Sequence, residues 1–347
     1  MRWALEPEQE MLVDALTGWL DHNPTTELVR TGADSAAFEA GLAAEGWLAI
    51  GIPEERGGQG GGLLELALSA ELFARHSAPT SAWLATVLAL PALDDATAAS
   101  MIEDGRFVAL VVNAERPIAA GGVTVDDDLL TGAVDLVLGA DRASLLVVPA
   151  GGSLYAVDAD ASGLTITSKP LLDRSRSAAL VTLEGVRGRR LEAGDGMLAE
   201  AALRAAVLVA ADALGAAGRL LELAVEYSGQ RTQFGRPIGS FQAMKHAAAT
   251  MLVTEEAARS VVYFAAASVD QGLPEAHLHA ATAKAQVTAG AVASAESALT
   301  MHGAIGYTWE HDLQLFYKRT KLDLALFGPP TTWNERIADA LQLIPTA

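Results

Sequence analysis

Residues 227–246 read YSGQRTQFGRPIGSFQAMKH and break what is otherwise a long helical pattern on both sides. Gly229, Gly235, Gly239 and Pro237 supply turn chemistry and let backbone approach a ligand closely. Arg231 falls at the end of the upstream helical pattern and carries a planar fork of donors that matches two phosphate oxygens. Phe234 offers an apolar ring, and Gln233 and Gln242 offer amide donors and acceptors. Taken from the residues alone, a cation completing a helix C-terminus is the simpler reading of Arg231. Both roles stay open at this point.

Upstream, Leu203, Val207, Ala210, Leu214, Leu221 and Val225 follow helical steps that put them on one face. Downstream, Met244, Ala247, Met251, Ala258, Val262 and Ala265 do the same, and the pattern stops near Gly272 and Pro274. A third helix is expected over about 275–301, ending at Gly303. A fourth covers about 312–326 and ends at Gly328, and a last one follows Thr331 and Thr332 as caps. Long helices with short connections and alanine-rich faces predict an antiparallel bundle over 194–347.

Residues 106–193 change character. FVALVV (107–112), LVLGA (136–140), SLLVVPA (144–150), LTITS (164–168) and ALVTLEGV (179–186) are short β-branched runs separated by turn residues, which predicts a small antiparallel β domain. Residues 1–105 return to helical periodicity, with acidic Glu6 and Glu8 flanking Pro7 in a first turn. GIPEERGGQGGG (51–62) interrupts them. Five glycines within 57–62 cannot continue a helix, and a loop with no preceding strand and no P-loop lysine is a poor phosphate cradle. The expected fold is mostly α with a central β domain, and no internal repeat is visible.

At 347 residues the chain can bury several cores. Its formal charge of −19 repels phosphate backbones, and no basic stripe offsets it, so nucleic acid is an unsuitable partner. An anionic substrate would have to meet a local basic patch. No apolar run reaches the roughly 20 residues that span a bilayer, and the N-terminus is acidic and amphipathic where a signal peptide is basic, so neither membrane insertion nor export is expected and the cytoplasm is the default. The absence of cysteine removes disulfides, thiolate metal sites and a cysteine nucleophile. His277 and His279 are two apart on a helix and face different sides, so no metal site is expected.

The tract YxxxRxQFGxPIxxFQ resembles a signature of acyl-CoA dehydrogenases. MHGAIGYTWEHDLQLFYKR (301–319) is similar to their second signature, GIPEERGG resembles a family loop, and the domain order is that of the family: a helical N-terminal domain, a β barrel-like middle and a C-terminal four-helix domain. The resemblance implies FAD as cofactor. It implies that Arg231 reaches the pyrophosphate of an FAD held mainly by a neighbouring subunit, with Gln233, Phe234, Ile238 and Gln242 along the dinucleotide. His302, Gly303 and Gly306 would approach its adenosine end. The reaction implied is α,β-dehydrogenation of an acyl-CoA thioester, in which a carboxylate takes the α proton and flavin N5 accepts the β hydride.

The family's usual base position falls here on Phe327, in ALFGPP, and the alternative position falls on Ala205. Neither accepts a proton. Glu200, one turn before Arg204, is the nearby carboxylate. NAERPIAAGGVTV (113–125) and LTGAVDLVLGAD (130–141) lack the family's flavin-ring tracts. The motif serving a neighbour's FAD is present and the chain's own catalytic residue is not, so no catalytic residue is assigned. This pattern resembles the shortened subunit of heterotetrameric (α2β2) acyl-CoA dehydrogenases from actinobacteria that degrade steroid side chains, whose partner is a homologous subunit. Two alternatives stand beside it: a homomeric dehydrogenase with Glu200 as relocated base, and a non-catalytic scaffold.

Overall fold

The computed structural model describes residues 5–194 and 196–341. The first four residues of the N-terminal segment, Asp195 and the last six of the chain lie outside them.

Helices come first: α1 (Pro7–His22), α2 (Thr26–Thr31), α3 (Ala36–Ala44), α4 (Leu63–Arg75), α5 (Ser81–Ala89) and α6 (Asp95–Glu103). Pro7 opens α1, where its missing N–H costs nothing, and the Glu6 N–H donates to Gln9 Oε1 at 3.0 Å in a capping box. The glycine-rich segment is a loop, closed by a bridge between Ile52 and Gly60.

Strands follow: β1 (Val108–Leu110), β2 (Val123–Asp126), β3 (Leu129–Leu138), β4 (Leu145–Ala150), β5 (Ser153–Asp158), β6 (Leu164–Lys169), β7 (Ala178–Arg187) and β8 (Arg189–Arg190). They form two four-stranded sheets, ordered β1-β4-β5-β8 and β2-β3-β7-β6. Leu130, Val137, Leu146, Val148, Val181 and Val186 are buried together in one core that both sheets supply. The expectation of a wholly antiparallel domain is corrected: β1 pairs with β4 in parallel, Val108 opposite Leu145. The chain crosses to the second sheet for β2 and β3 before returning, so it re-enters the first sheet in its original direction.

The C-terminal part holds α7 (Met197–Gln230), the short strands β9 (Thr232–Gln233) and β10 (Arg236–Pro237), α8 (Gln242–Asp270), α9 (Ala276–Thr282), α10 (Thr288–His302), α11 (Leu313–Ala325) and α12 (Pro330–Ala340). The helix expected over 275–301 is α9 and α10 joined by a π turn, Ala283–Val287. Thr331 and Thr332 are not caps. Pro329 holds the cap position and Pro330 the first helical one, which its fixed φ suits, so both threonines lie inside the first turn. α7 is buried along most of its length. A Cβ on Gly215 would lie 2.0 Å from the Glu71 carbonyl, so glycine is what lets α4 and α7 approach.

Candidate functional site

α7 ends at Gln230, and Arg231 turns extended at φ −73°, ψ 123°. Its N–H donates to the Tyr227 carbonyl at 2.9 Å and its carbonyl accepts from Ile238 N–H at 2.8 Å. Between those anchors, β9 and β10 make a two-residue hairpin with Phe234 at φ +53° and Gly235 at φ +77°. Both turn positions of such a hairpin need positive φ, which glycine accepts freely and phenylalanine does not. The Phe234 ring is 91% exposed. It meets the edge of Phe241 at 6.0 Å, and the Arg236 guanidinium lies 4.1 Å from the Phe241 ring centre. Arg231, Gln233 and Gln242 are exposed and Ile238 is half-buried. Among the described residues Arg231 has no ion pair.

Beside the hairpin lies a groove of about 360 Å³ lined by Val225, Gly229, Pro237, Met244, Ala248 and Met301. Val225, expected on one face with Leu203, Val207, Ala210, Leu214 and Leu221, lines this groove and is 51% exposed. Leu221, Ala224 and Ser228 in the same turns stay buried, so α7 remains packed there and Val225 lies to one side of the contact.

His302 closes α10 and is buried. Its Nδ1 lies 2.8 Å from the Ala298 carbonyl, a bond in which Nδ1–H donates and Nε2 carries the lone pair. Burial pushes its pKa down, the Ala298 bond works against that, and His311 adds to it. The ring stacks on Tyr227 at 4.6 Å and meets His311 at 4.6 Å. The Tyr227 stack ties the two sequence motifs together. Gly303 is exposed at φ +66°, whereas Gly306 is buried where a Cβ would come 2.9 Å from Leu299. The sequence-chosen residues therefore divide into Arg231, Gln233 and Phe234 exposed on the hairpin, Ile238 and Gln242 just after it, and the turn after α10, where His302 and Gly306 are buried and Gly303 is exposed.

Phe327 is buried at φ +54°. Its N–H donates to the Ala114 carbonyl at 2.6 Å, and its carbonyl accepts from the Trp333 indole at 3.2 Å. The ring packs among Ala85, Leu88, Leu110, Val112 and Leu138, leaving a void of about 10 Å³. Ala205 is buried. Glu200 is exposed and paired with Arg204 at 2.9 Å.

A buried polar cluster escaped the sequence reading. Arg319 grips Asp212 with two bonds of 2.6 and 2.7 Å and donates to the Ala78 carbonyl at 2.8 Å. Arg176 pairs with the same carboxylate and donates to Thr80 Oγ1 at 2.5 Å. Burial would raise the Asp212 pKa, but the two guanidinium groups hold it down at about 2. Burial and the Asp212 charge push Asp323 well up, against the pull of both arginines. Nearby, Lys284 Nζ donates to the Asp323, Leu324 and Gly328 carbonyls at 2.9, 3.2 and 3.1 Å. A lone Asp within VLVAADALG was the available signal, since an ionised group in an apolar helical run needs a buried partner.

The C-terminal domain of acyl-CoA dehydrogenases matches residues 194–342, and their N-terminal domain matches residues 6–99. The chain belongs to the acyl-CoA dehydrogenase family, oxidoreductases that act on the CH–CH bond of acyl-CoA. It is 33% identical to acyl-CoA dehydrogenase IpdE2 of Mycolicibacterium smegmatis, over 96% of this chain and 98% of that protein. It is 32% identical to acyl-CoA dehydrogenase FadE34 of Mycobacterium tuberculosis over 87% of this chain, spanning 42% of that longer protein. The solved Tcur3481-Tcur3483 steroid ACAD G363A variant superposes with a TM-score of 0.86 at 26% identity, covering 96% of this chain and 97% of that one.

Proposed function

We propose that this chain is a subunit of an FAD-dependent acyl-CoA dehydrogenase that completes a homologous partner's cofactor site while the partner supplies the proton-abstracting glutamate. The observation that carries the reading is an opposition within one fold. Among the described residues the Arg231 hairpin projects outward with an unpaired guanidinium and an exposed ring, whereas a buried phenylalanine ring lies where counting on from Tyr307 puts the family's base.

Fit to the cofactor differs at the two places. At the hairpin, Arg231 has free donors for a pyrophosphate, Phe234 and Gln233 stand beside it, and the neighbouring groove has apolar walls. At Phe327 the packed ring leaves no room for a flavin edge and acyl chain. FAD bound at the hairpin would supply a hydride acceptor, and this chain's part is to hold its phosphates. Gln242 and Ile238 flank it, and His302, Gly303 and Gly306 form the turn proposed for the adenosine end.

The similarity to a steroid ACAD with a paired name supports a two-subunit α2β2 assembly and a steroid side-chain CoA ester as substrate. We take the working units as 1–105, 106–193 and 194–347, acting in the cytoplasm; no described helix is long and apolar enough to cross a membrane. The homomeric alternative is disfavoured because the Glu200 carboxylate is exposed and already paired. Co-purification with a homologous subunit tests the proposal. The complex should carry flavin and oxidise acyl-CoA, and this chain by itself should do neither. Arg231→Ala should weaken flavin retention about ten- to a hundredfold, since a hydrogen bond to a charged group is worth roughly 1.5–3 kcal/mol. A yellow, active homo-oligomer of this chain would end the reading.

A further inference from the structure

We propose that Arg174 and Lys318, both held against the Trp309 ring, form an anion site that takes a phosphate monoester, built from residues other than those of the Arg231 hairpin and not dependent on that hairpin's role. Lys318 lies on α11, with Nζ 3.7 Å from the centre of the Trp309 ring. Arg174, in the turn between β6 and β7, has its guanidinium carbon 4.6 Å from the same ring centre. Two like charges share one aromatic platform.

Their neutralisation is what is missing. In a chain with 43 acidic and 24 basic side chains, nearby cations have found carboxylates: Arg30 pairs with Glu27 and Asp312, and Lys321 with Glu296. Among the described residues neither Arg174 nor Lys318 has an ion pair. Arg174 donates to the Arg30 carbonyl at 2.9 Å, and Lys318 donates to the amide oxygen of Gln314. Position 314 lies one helical turn before Lys318, where a glutamate would give an intrahelical pair and the chain has an amide instead. Asp173 acts on Lys318 from beyond pairing distance; its Oδ1 accepts from the Ser175 N–H and hydroxyl, and its Oδ2 is buried without a donor among the described residues and pairs with neither cation.

A second observation is independent of the charges. Gln314 is 6% exposed, and its Nε2 has no acceptor among the described residues. A buried amide donor without a partner is costly. The two cations are the donors an oxyanion would meet, and the orphan N–H belongs to the amide that Lys318 bonds; a pair of positive charges suits a dianionic phosphate better than a carboxylate. Tyr307 and Trp309, 75% and 52% exposed, keep the patch open to solvent.

Calorimetric titration of the folded chain with inorganic phosphate, coenzyme A and 3′-dephospho-coenzyme A tests the site, alongside the change in tryptophan emission that Trp309→Phe should remove. Saturable binding of coenzyme A at least tenfold tighter than of its dephospho form identifies a nucleotide monoester as the ligand. Equal binding of inorganic phosphate identifies the free anion. Gln314→Glu, which neutralises Lys318 in place, and the exposed Arg174→Gln should each weaken binding at least tenfold, with circular dichroism unchanged. No saturable binding of any of the three, or unaltered binding in Arg174→Gln, overturns the proposal.

Discussion

Phe327 sets a cost against a gain, a left-handed backbone against full burial of its ring. Its N–H and carbonyl are both bonded, to Ala114 and Trp333, so the backbone is held from two sides. The ring then fills space that an ionised carboxylate could not occupy without a partner, because a buried unpaired charge costs several kcal/mol. Phe327→Ala keeps the positive φ and loses the ring. It should lower stability by about 3–5 kcal/mol, read as a fall in the urea midpoint. Per-flavin turnover of the complex should stay at the wild-type value if the base belongs to the partner. A turnover that falls with Phe327→Ala while flavin content holds would count against that assignment.

At the scale of elements, the π turn between α9 and α10 is the place where Lys284 enters the core. An extra residue in the turn rotates the side chain inward, and its ammonium meets three carbonyls at and beyond the end of α11, which a helix leaves without intrahelical donors. Burial lowers its pKa from 10.5 to about 8, against a pull upward from Asp323. Below about pH 8 the folded lysine is charged, at a cost. Between about 8 and 10.5 the folded chain has released the proton that the unfolded chain still holds, so this residue makes stability rise with pH. Denaturation at pH 7.5 and 9.5 should show that rise in wild type relative to Lys284→Met. The variant should be weaker at pH 7.5 by about 1–3 kcal/mol, because carbonyls are left unsatisfied.

Across the whole molecule, Asp212 on α7, Arg319 on α11, Arg176 before β7, and Ala78 and Thr80 before α5 meet in one buried cluster that ties the N-terminal helices, the sheets and the bundle together. Removing one partner from such a cluster leaves uncompensated charge. Asp212→Asn should cost about 3–5 kcal/mol. The sign of its pH dependence is fixed by its depressed pKa: the contribution is complete above about pH 4 and is lost as pH falls toward about 2. Wild type should therefore lose stability over that interval by a margin that Asp212→Asn lacks, as chemical denaturation at pH 4.5 and 2.5 would measure. Asp323, whose pKa burial and the Asp212 charge push up, works in the opposite sense to Asp212 and adds no such acid loss.

Periodicity alone determined the helix, β, helix order and most of the long C-terminal helices, because a buried face repeats every 3.6 residues whatever it packs against. The hairpin was legible too, since Gly235, Pro237 and Gly239 admit few other conformations. β2, β5 and β8 were not: VTVD and SLYAVD are too short or too mixed to stand out, and pairing with neighbouring strands is what makes them strands. Tertiary structure also decided the parallel β1–β4 pairing, the exposure of Val225, and the convergence of Asp212, Arg176, Arg319 and Lys284 from distant positions. Each of those depends on which surfaces meet in space, a long-range property that no local spacing encodes.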